Sequence, residues 1–370
     1  MEHLGNDEPV DAGPTFDEMV RISEWESMED FFATADARIL GDVQEAVRLR
    51  ERLRDELLSS APEIQEQICR VSAERQEWAL TQLFGGQVCA VDGTLSRSPS
   101  ISGGRARIGV VATSYSGDRI QRVLYVSYRQ MCGPITSAMD YFARLKKVNR
   151  ASELLLRAVM AYAERALALQ RPEVWRFVHG ELLPFELWAA LGRDRPLCSR
   201  LELAQRLIEN KHIIAVIEGS QSVELLNAGE LLGPGEYLDA RDLKAELAAY
   251  RRGRQADGRA AHFSAAEGAE FDAFTETFGP DVRVGIFKAG FKTYVFQAHR
   301  DVFHDAAALI IADARCRPLR GFPLLIDYAD HICAHHLDQT SFDRQIQFKL
   351  ARQGMEILAA EIDPRKTRSR

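Results

Sequence analysis

Three β-rich runs, VCAVDGT, ARIGVVATSY and QRVLYVSYR, follow one another between Val88 and Arg129, and this triplet constrains the fold most. Polar and glycine-containing segments separate them, as turns between successive strands do. A helical stretch from about Ile135 to Gln170 comes next, then the strand EVWRFVHG, a helix over Leu197 to Asn210 and the strand HIIAVIEGS. Two further β-rich runs, VRVGIFKA and KTYVFQAH, precede a helix, the helical run RGFPLLIDYADHICAHH and a closing helix. Strands in succession followed by alternating helix and strand predict an α/β protein with a mixed central sheet flanked by helices.

This is also the element order of an RNase H-like fold, in which carboxylates from separate elements converge at one edge of the sheet. Before it, residues 16–84 read as a helical N-terminal region, because VQEAVRLRERLRDELL and EIQEQICRVSAERQEWALTQLF space their apolar positions by three and four. Pro62, with Ser60 as a cap, marks the join between the two runs. Their arginine- and glutamate-rich faces read as solvated surfaces with local ion pairs, with a partner-docking hairpin as the alternative. Residues 1–15 are expected to be disordered, 85–362 to form one α/β domain, and 363–370, ending DPRKTRSR, to be a basic tail. Within the domain, polar residues 229–270, including RRGRQADGRAAH, read as a loop or insertion.

Hydrophobic residues make up 46% of the chain and charged ones 27%, enough for a substantial core in a soluble protein. No apolar run reaches bilayer length and the acidic, polar start cannot be a secretory core, so the expected location is the cytoplasm, without a membrane. Cys69, Cys89, Cys132, Cys198, Cys316 and Cys333 lack metal or redox spacing, which suits a reducing compartment. A net charge of -7 argues against a polyanion coat over the whole surface but leaves room for a local basic channel.

Four places along the sheet order present acidic or imidazole groups: Asp92 after the first strand, Glu153 on the long helix, His179 and Glu181 after the fourth strand, and Asp330 with His331 on the late helix. A divalent ion working on phosphodiesters needs hard ligands from several elements. Each has a plainer reading. Asp92-Gly93 is a strong turn signal, and Glu153 can be a solvated helix residue. Glu164 lies eleven positions beyond Glu153, nearly in line on the same helix, so either can face the sheet edge. His331 and His335 are one helical turn apart and raise a zinc alternative, but no glutamate base stands between them. Lys288 and Lys292, on the late strand pair, are candidate phosphate contacts or exposed hairpin lysines.

In order and spacing these motifs resemble the NurA nucleases, from about Val88 to the C-terminus. AVDGT resembles the family's first motif, a strand ending Asp-Gly-Ser, and the resemblance makes Asp92 a metal ligand rather than a turn former. NRASEL resembles the arginine-then-glutamate helix motif and points to Glu153, with Glu164 as the fallback. FVHGELLPFELW resembles a strand that normally ends in Asp-Gly-Thr-Leu, with His179 at the aspartate position. IIAVIEGSQSVELLN resembles the strand leading to a serine-rich turn. GFPLLIDYADHICAH resembles the late Gly-Tyr-Pro motif, with Phe322 in the tyrosine position and Asp330 at the metal-facing one. The resemblance implies an RNase H-like deoxyribonuclease, a 5'-3' exonuclease or single-strand endonuclease. It implies one or two Mn²⁺ (or Mg²⁺) ions per subunit on Asp92, Glu153, His179 and Asp330, with Glu164, Glu181 and His331 as secondary candidates. It also implies a homodimer that encloses DNA and docks on a HerA-like hexameric ATPase, in DNA-end processing or phage defence. His179 contributes no negative charge and Phe322 no hydroxyl, which keeps a second reading open: an impaired nuclease that clamps DNA or regulates its translocase.

Overall fold

The computed structural model describes residues 16–21, 25–60, 67–98, 105–127, 136–189, 197–219, 223–252 and 263–353; the side chains of 141–153 and of a few scattered residues lie outside the description. The expectations for residues 1–15, Cys132, most of RRGRQADGRAAH and the tail 363–370 fall outside the described residues. The chain divides into two units, Met1–Ala61 and Pro62–Arg370.

The first unit contains α1 (Phe16–Met19) and α2 (Met28–Ser60). Ser27 begins α2, its Oγ accepting from the Asp30 amide at 3.1 Å, and Glu29 and Asp30 place negative charge at the positive helix end. At 33 residues it is about 50 Å long. Its charged face carries local pairs such as Arg52–Glu56, at 3.7 Å, while Ile39, Val43, Val47 and Leu53 are exposed.

The second unit is built on a nine-stranded mixed sheet in the order β1-β7-β8-β9-β6-β5-β2-β3-β4. Its strands are β1 (Ile68–Arg70), β2 (Val88–Ser98), β3 (Arg105–Ser114), β4 (Arg119–Ser127), β5 (Trp175–His179), β6 (Ile213–Ile217), β7 (Glu236–Asp242), β8 (Val282–Lys288) and β9 (Thr293–His299). The central trio β6-β5-β2 is parallel, and every other neighbouring pair is antiparallel. Parallel neighbours need helical crossovers, and α4 (Ala138–Gln170) and α6 (Cys198–Glu209) supply them, with the short α5 (Phe185–Ala189) between. The central strands are buried on both faces and sort their side chains by twos. Val91, Val178 and Ala215 face a core shared with α4, α6, α8 (Lys244–Arg252) and α9 (Ala265–Phe278). Ala90, Phe177, Ile214 and Val216 face the opposite core, shared with α3 (Ala73–Phe84), α10 (Phe303–Ala314) and α11 (Leu324–His336). The remaining helices are α7 (Val223–Glu230) and α12 (Gln339–Arg352). Among the described residues no helix is long and apolar enough to cross a membrane.

The structure departs from the sequence expectation in three places. The Asp92-Gly93 pair is not a turn: β2 continues to Ser98, with Asp92 opposite Val111 and Gly93 opposite Val110 on β3. The region read as helical over 16–84 contains β1, whose three residues are too few to show a period. The segment read as a loop over 229–270 contains β7, α8 and the start of α9. β7 looks like loop because its sequence is charged, but its charges are paired: Arg70–Glu236 at 2.9 Å, Arg283–Asp239 at 2.8 Å and Arg241–Glu246 at 2.9 Å.

Candidate functional site

Each strand of the parallel trio leaves the core through the same kind of tripeptide, apolar, then a polar group, then glycine: Val91-Asp92-Gly93, Val178-His179-Gly180 and Ile217-Glu218-Gly219. The register pairs Val91 with Val178 and His179 with Val216, so these polar groups come to one edge of the sheet. The carboxyl ends of parallel strands are where open α/β sheets gather ligands. Asp92 and His179 follow Ala90 and Phe177 by two and therefore face α11. His179 Nδ1 lies 3.1 Å from Asp92 Oδ1, and its Nε2 lies 3.8 Å from Glu218 Oε2.

Two helices complete the cluster. α11 packs across this edge, with the Cys333 thiol donating to the Asp92 carbonyl at 3.6 Å, and one turn earlier it carries Asp330. α4 approaches from the other face of the sheet and brings Glu164. That approach requires glycine at position 93, because a Cβ there would fall 2.4 Å from Glu164 Oε1. Glu164 pairs with its neighbour Arg165, whose guanidinium also donates to the carbonyls of His179 at 3.2 Å and Leu182 at 3.3 Å and so holds the turn beyond β5.

The electrostatics of this edge are those of crowded acids. Burial pushes the Glu164 carboxyl up to about 7, with the charge of Asp92 adding to the shift against the pull of Arg165. Asp330 is also raised, by desolvation and by Asp92. Burial opposes a charge on His179, yet its hydrogen bond to Asp92 and the charges of Asp92, Glu164 and Glu218 raise its pKa. Asp92 is only 3% exposed, and its Oδ2 is buried without a permanent donor, since Asp330 can hydrogen-bond to this carboxylate only when protonated. A buried carboxylate oxygen in that state carries a desolvation penalty of about 1–3 kcal/mol or more, which a cation at the same place would relieve. Among the described residues no three His, Cys, Asp or Glu side chains already stand as a ligand set. Asp92 Oδ1 is committed to His179 and Glu164 to Arg165.

Of the residues singled out from sequence, Asp92, His179, Asp330 and Glu164 come together. The side chain of Glu153 lies outside the described residues; its helix position is about 16 Å along α4 from Glu164, so one edge cannot use both. Glu181 turns away, accepting a 2.7 Å hydrogen bond from Tyr250 on α8, and burial lifts its carboxyl to about 7. His331 is exposed on α11 with its ring parallel to that of His335, centroids 6.2 Å apart. Lys288 is buried rather than exposed, its ammonium 3.8 Å from Glu230. Lys292 is exposed, 5.2 Å above the Tyr294 ring. Phe322 is buried, its ring centroid 5.7 Å from that of His179. Glu218 escaped sequence reasoning, although its signal was there: IEG repeats the apolar, polar, glycine pattern of VDG and VHG.

No family model matches the chain, and no curated protein matches it. Among solved structures it is similar to the NurA nuclease from Sulfolobus solfataricus, at 10% identity over 82% of this chain and 98% of that one, with a TM-score of 0.42. A structure of NurA with manganese gives 11% identity, 87% and 99% coverage and a TM-score of 0.40. One of NurA bound to dAMP and manganese gives 11% identity, 82% and 93% coverage and 0.38. The correspondence is loose, and the functional reading rests on the geometry of the site.

Proposed function

We propose that the protein is a divalent-metal-dependent deoxyribonuclease with an RNase H-like core. The observation that carries this reading is the buried Oδ2 of Asp92, without a permanent donor, at a sheet edge where Glu164, Asp330 and His179 also gather. The donor chemistry suits Mn²⁺ or Mg²⁺: hard carboxylate oxygens from a strand and two helices, with one imidazole that tilts the preference toward Mn²⁺. Asp92, Asp330, His179 and Glu164 would hold the ion, Glu164 standing where the sequence motif had pointed to Glu153. Bound there, the ion supplies Lewis acidity toward a phosphodiester. Asp92 fixes the imidazole of His179 through Nδ1, and Glu218 faces the other ring nitrogen. Arg165 fixes the backbone on which His179 sits. The order of the sequence motifs supports the further reading of a NurA-like homodimer that works with a HerA-type hexameric ATPase. Co-purification of an ATPase encoded beside this gene tests that part.

The deciding experiment incubates purified protein and labelled linear DNA with Mn²⁺, with and without chelator. Shortening that the chelator abolishes is the expected result. DNA binding without shortening favours the second reading, a clamp impaired by His179 in a carboxylate position, and overturns the enzyme.

A further inference from the structure

Beside the acidic edge, two loops are joined backbone to backbone. One is the tip between β8 and β9, Ala289 to Lys292, and the other runs from Arg315 to Gly321 before α11. A Cβ on Gly290 would lie 2.0 Å from the Pro318 carbonyl oxygen, and one on Gly321 would lie 3.1 Å from the Gly290 nitrogen. Only two glycines allow this contact. Tyr294 adds a 2.8 Å hydrogen bond from its hydroxyl to the Arg320 carbonyl.

The joined loops present an unusual set of side chains. Phe291 is 75% exposed at the hairpin tip, next to Lys292, and Leu319 is 82% exposed on the other loop. Arg317 and Arg320 are both held by Asp327, at 3.5 Å and 2.9 Å. Arg320 also reaches Glu218 at 3.0 Å, the carboxylate that faces His179, and its guanidinium lies 5.3 Å from the Phe322 ring centre. Cations on the same joined loops as a bare aromatic ring suit the chemistry by which proteins grip unpaired nucleic acid strands: rings stack on bases while lysine and arginine follow the phosphates. Inside a duplex the base faces are already stacked, so Phe291 meets an unstacking cost there, whereas an unpaired strand offers a free face.

We propose that Phe291, Lys292, Arg317 and Arg320 form a platform that holds a single DNA strand, with Phe291 stacked on an unpaired base and the cations on flanking phosphates. The inference rests on the nuclease reading for its choice of DNA, and it adds that the acidic edge is fed one strand at a time. Arg320 joins the platform to the site, since Glu218 lies between it and His179.

The test measures fluorescence anisotropy of a short labelled single-stranded oligodeoxynucleotide, and of its duplex, in the presence of chelator so that nothing is cut. Phe291→Ala is expected to weaken single-strand binding about tenfold and to leave duplex binding nearly unchanged. Lys292→Ala and Arg317→Ala are expected each to lower the slope of log affinity against log salt by about 0.7. In a separate cleavage assay with Mn²⁺, Arg320→Lys, which keeps charge but loses the fork, should raise the KM for single strands more than it lowers kcat. All four positions are on the surface loops, and a thermal melt of each variant checks that the fold survives. Wild-type single-strand affinity in both Phe291→Ala and Lys292→Ala overturns the platform, even if the protein cuts DNA. Unchanged DNA affinity together with an altered oligomeric state in Phe291→Ala also overturns it, in favour of a protein-docking tip. Phe291-dependent strand binding in a protein that never cuts sustains the platform and removes the nuclease.

Discussion

Two buried aspartates in this protein sit in comparable surroundings and end in opposite states. Asp313, near the end of α10, is fully buried, and both of its oxygens are used: Oδ1 accepts from the Tyr115 hydroxyl and Oδ2 from the Leu325 amide at 3.0 Å, inside the first turn of α11. Asp92, against the same helix, is almost as buried, but only one of its oxygens has a permanent donor, and the acid that faces it, Asp330, can donate only when protonated. A buried carboxyl whose two oxygens both hold donors ties elements of a fold together; one that is buried, half satisfied and pressed by other acids is a standing debt in the native state. Asp313 fixes the start of α11, and Asp92 meets the acid that α11 carries.

The comparison breaks first at Asp92. Asp92→Asn keeps the shape and removes the charge, and should lower Mn²⁺-dependent cleavage on the order of a thousandfold. Thermal melting should show little net change, because Asp330 and Glu164 lose a like-charged neighbour while His179 loses its carboxylate partner. Cleavage by Asp92→Asn at the wild-type rate would remove this residue from the site. A second break separates the two glutamates of α4. Glu164→Gln should reduce the rate on the order of a hundredfold, whereas Glu153→Gln should cleave like wild type. The reverse result would restore the sequence assignment and leave Glu164 as a structural ion pair with Arg165.

What sequence could and could not reveal follows from range. The central strands were legible because β2, β5, β6, β8 and β9 are short apolar runs whose burial is written in their own residues. β7 was not, because Glu236, Asp239 and Arg241 look like loop residues until the arginines and glutamate that pair with them arrive from elsewhere in the chain. The capping box at Ser264 and Glu267 was readable as the start of α9 and was passed over within a polar stretch. In the candidate site, the motifs point to Asp92, His179 and Asp330, which the fold brings to one sheet edge. The choice between Glu153 and Glu164 was open, since eleven residues return a helix nearly to the same face. The missing side chain at Gly93 gives Glu164 its place at the edge, and no local pattern ties position 93 to position 164.

A smaller effect belongs to Asp313. Asp313→Ala strands the Tyr115 hydroxyl and the Leu325 amide in the core and should destabilise the protein by about 2–3 kcal/mol, read as a lower urea midpoint. Its remaining cleavage at a temperature where it is folded should stay near wild type, in contrast to Asp92→Asn.

The smallest effect is in the pH dependence of that stability. Burial raises the Asp313 carboxyl from 3.8 to about 6, against its hydrogen bonds from Tyr115 and Leu325. A raised acid means that the native state keeps its proton where the unfolded chain has lost it, so native protein binds more protons between those values. Stability therefore falls as pH rises from about 4 to about 6 and is level in this respect above that. The contribution is at most about 3 kcal/mol across the window. Asp313→Asn cannot ionise, so the difference in unfolding free energy between wild type and Asp313→Asn should change across this window and stay constant from pH 7 to 8. A difference constant from pH 4 to pH 8 would mean that Asp313 is ionised throughout, held so by Tyr115 and Leu325.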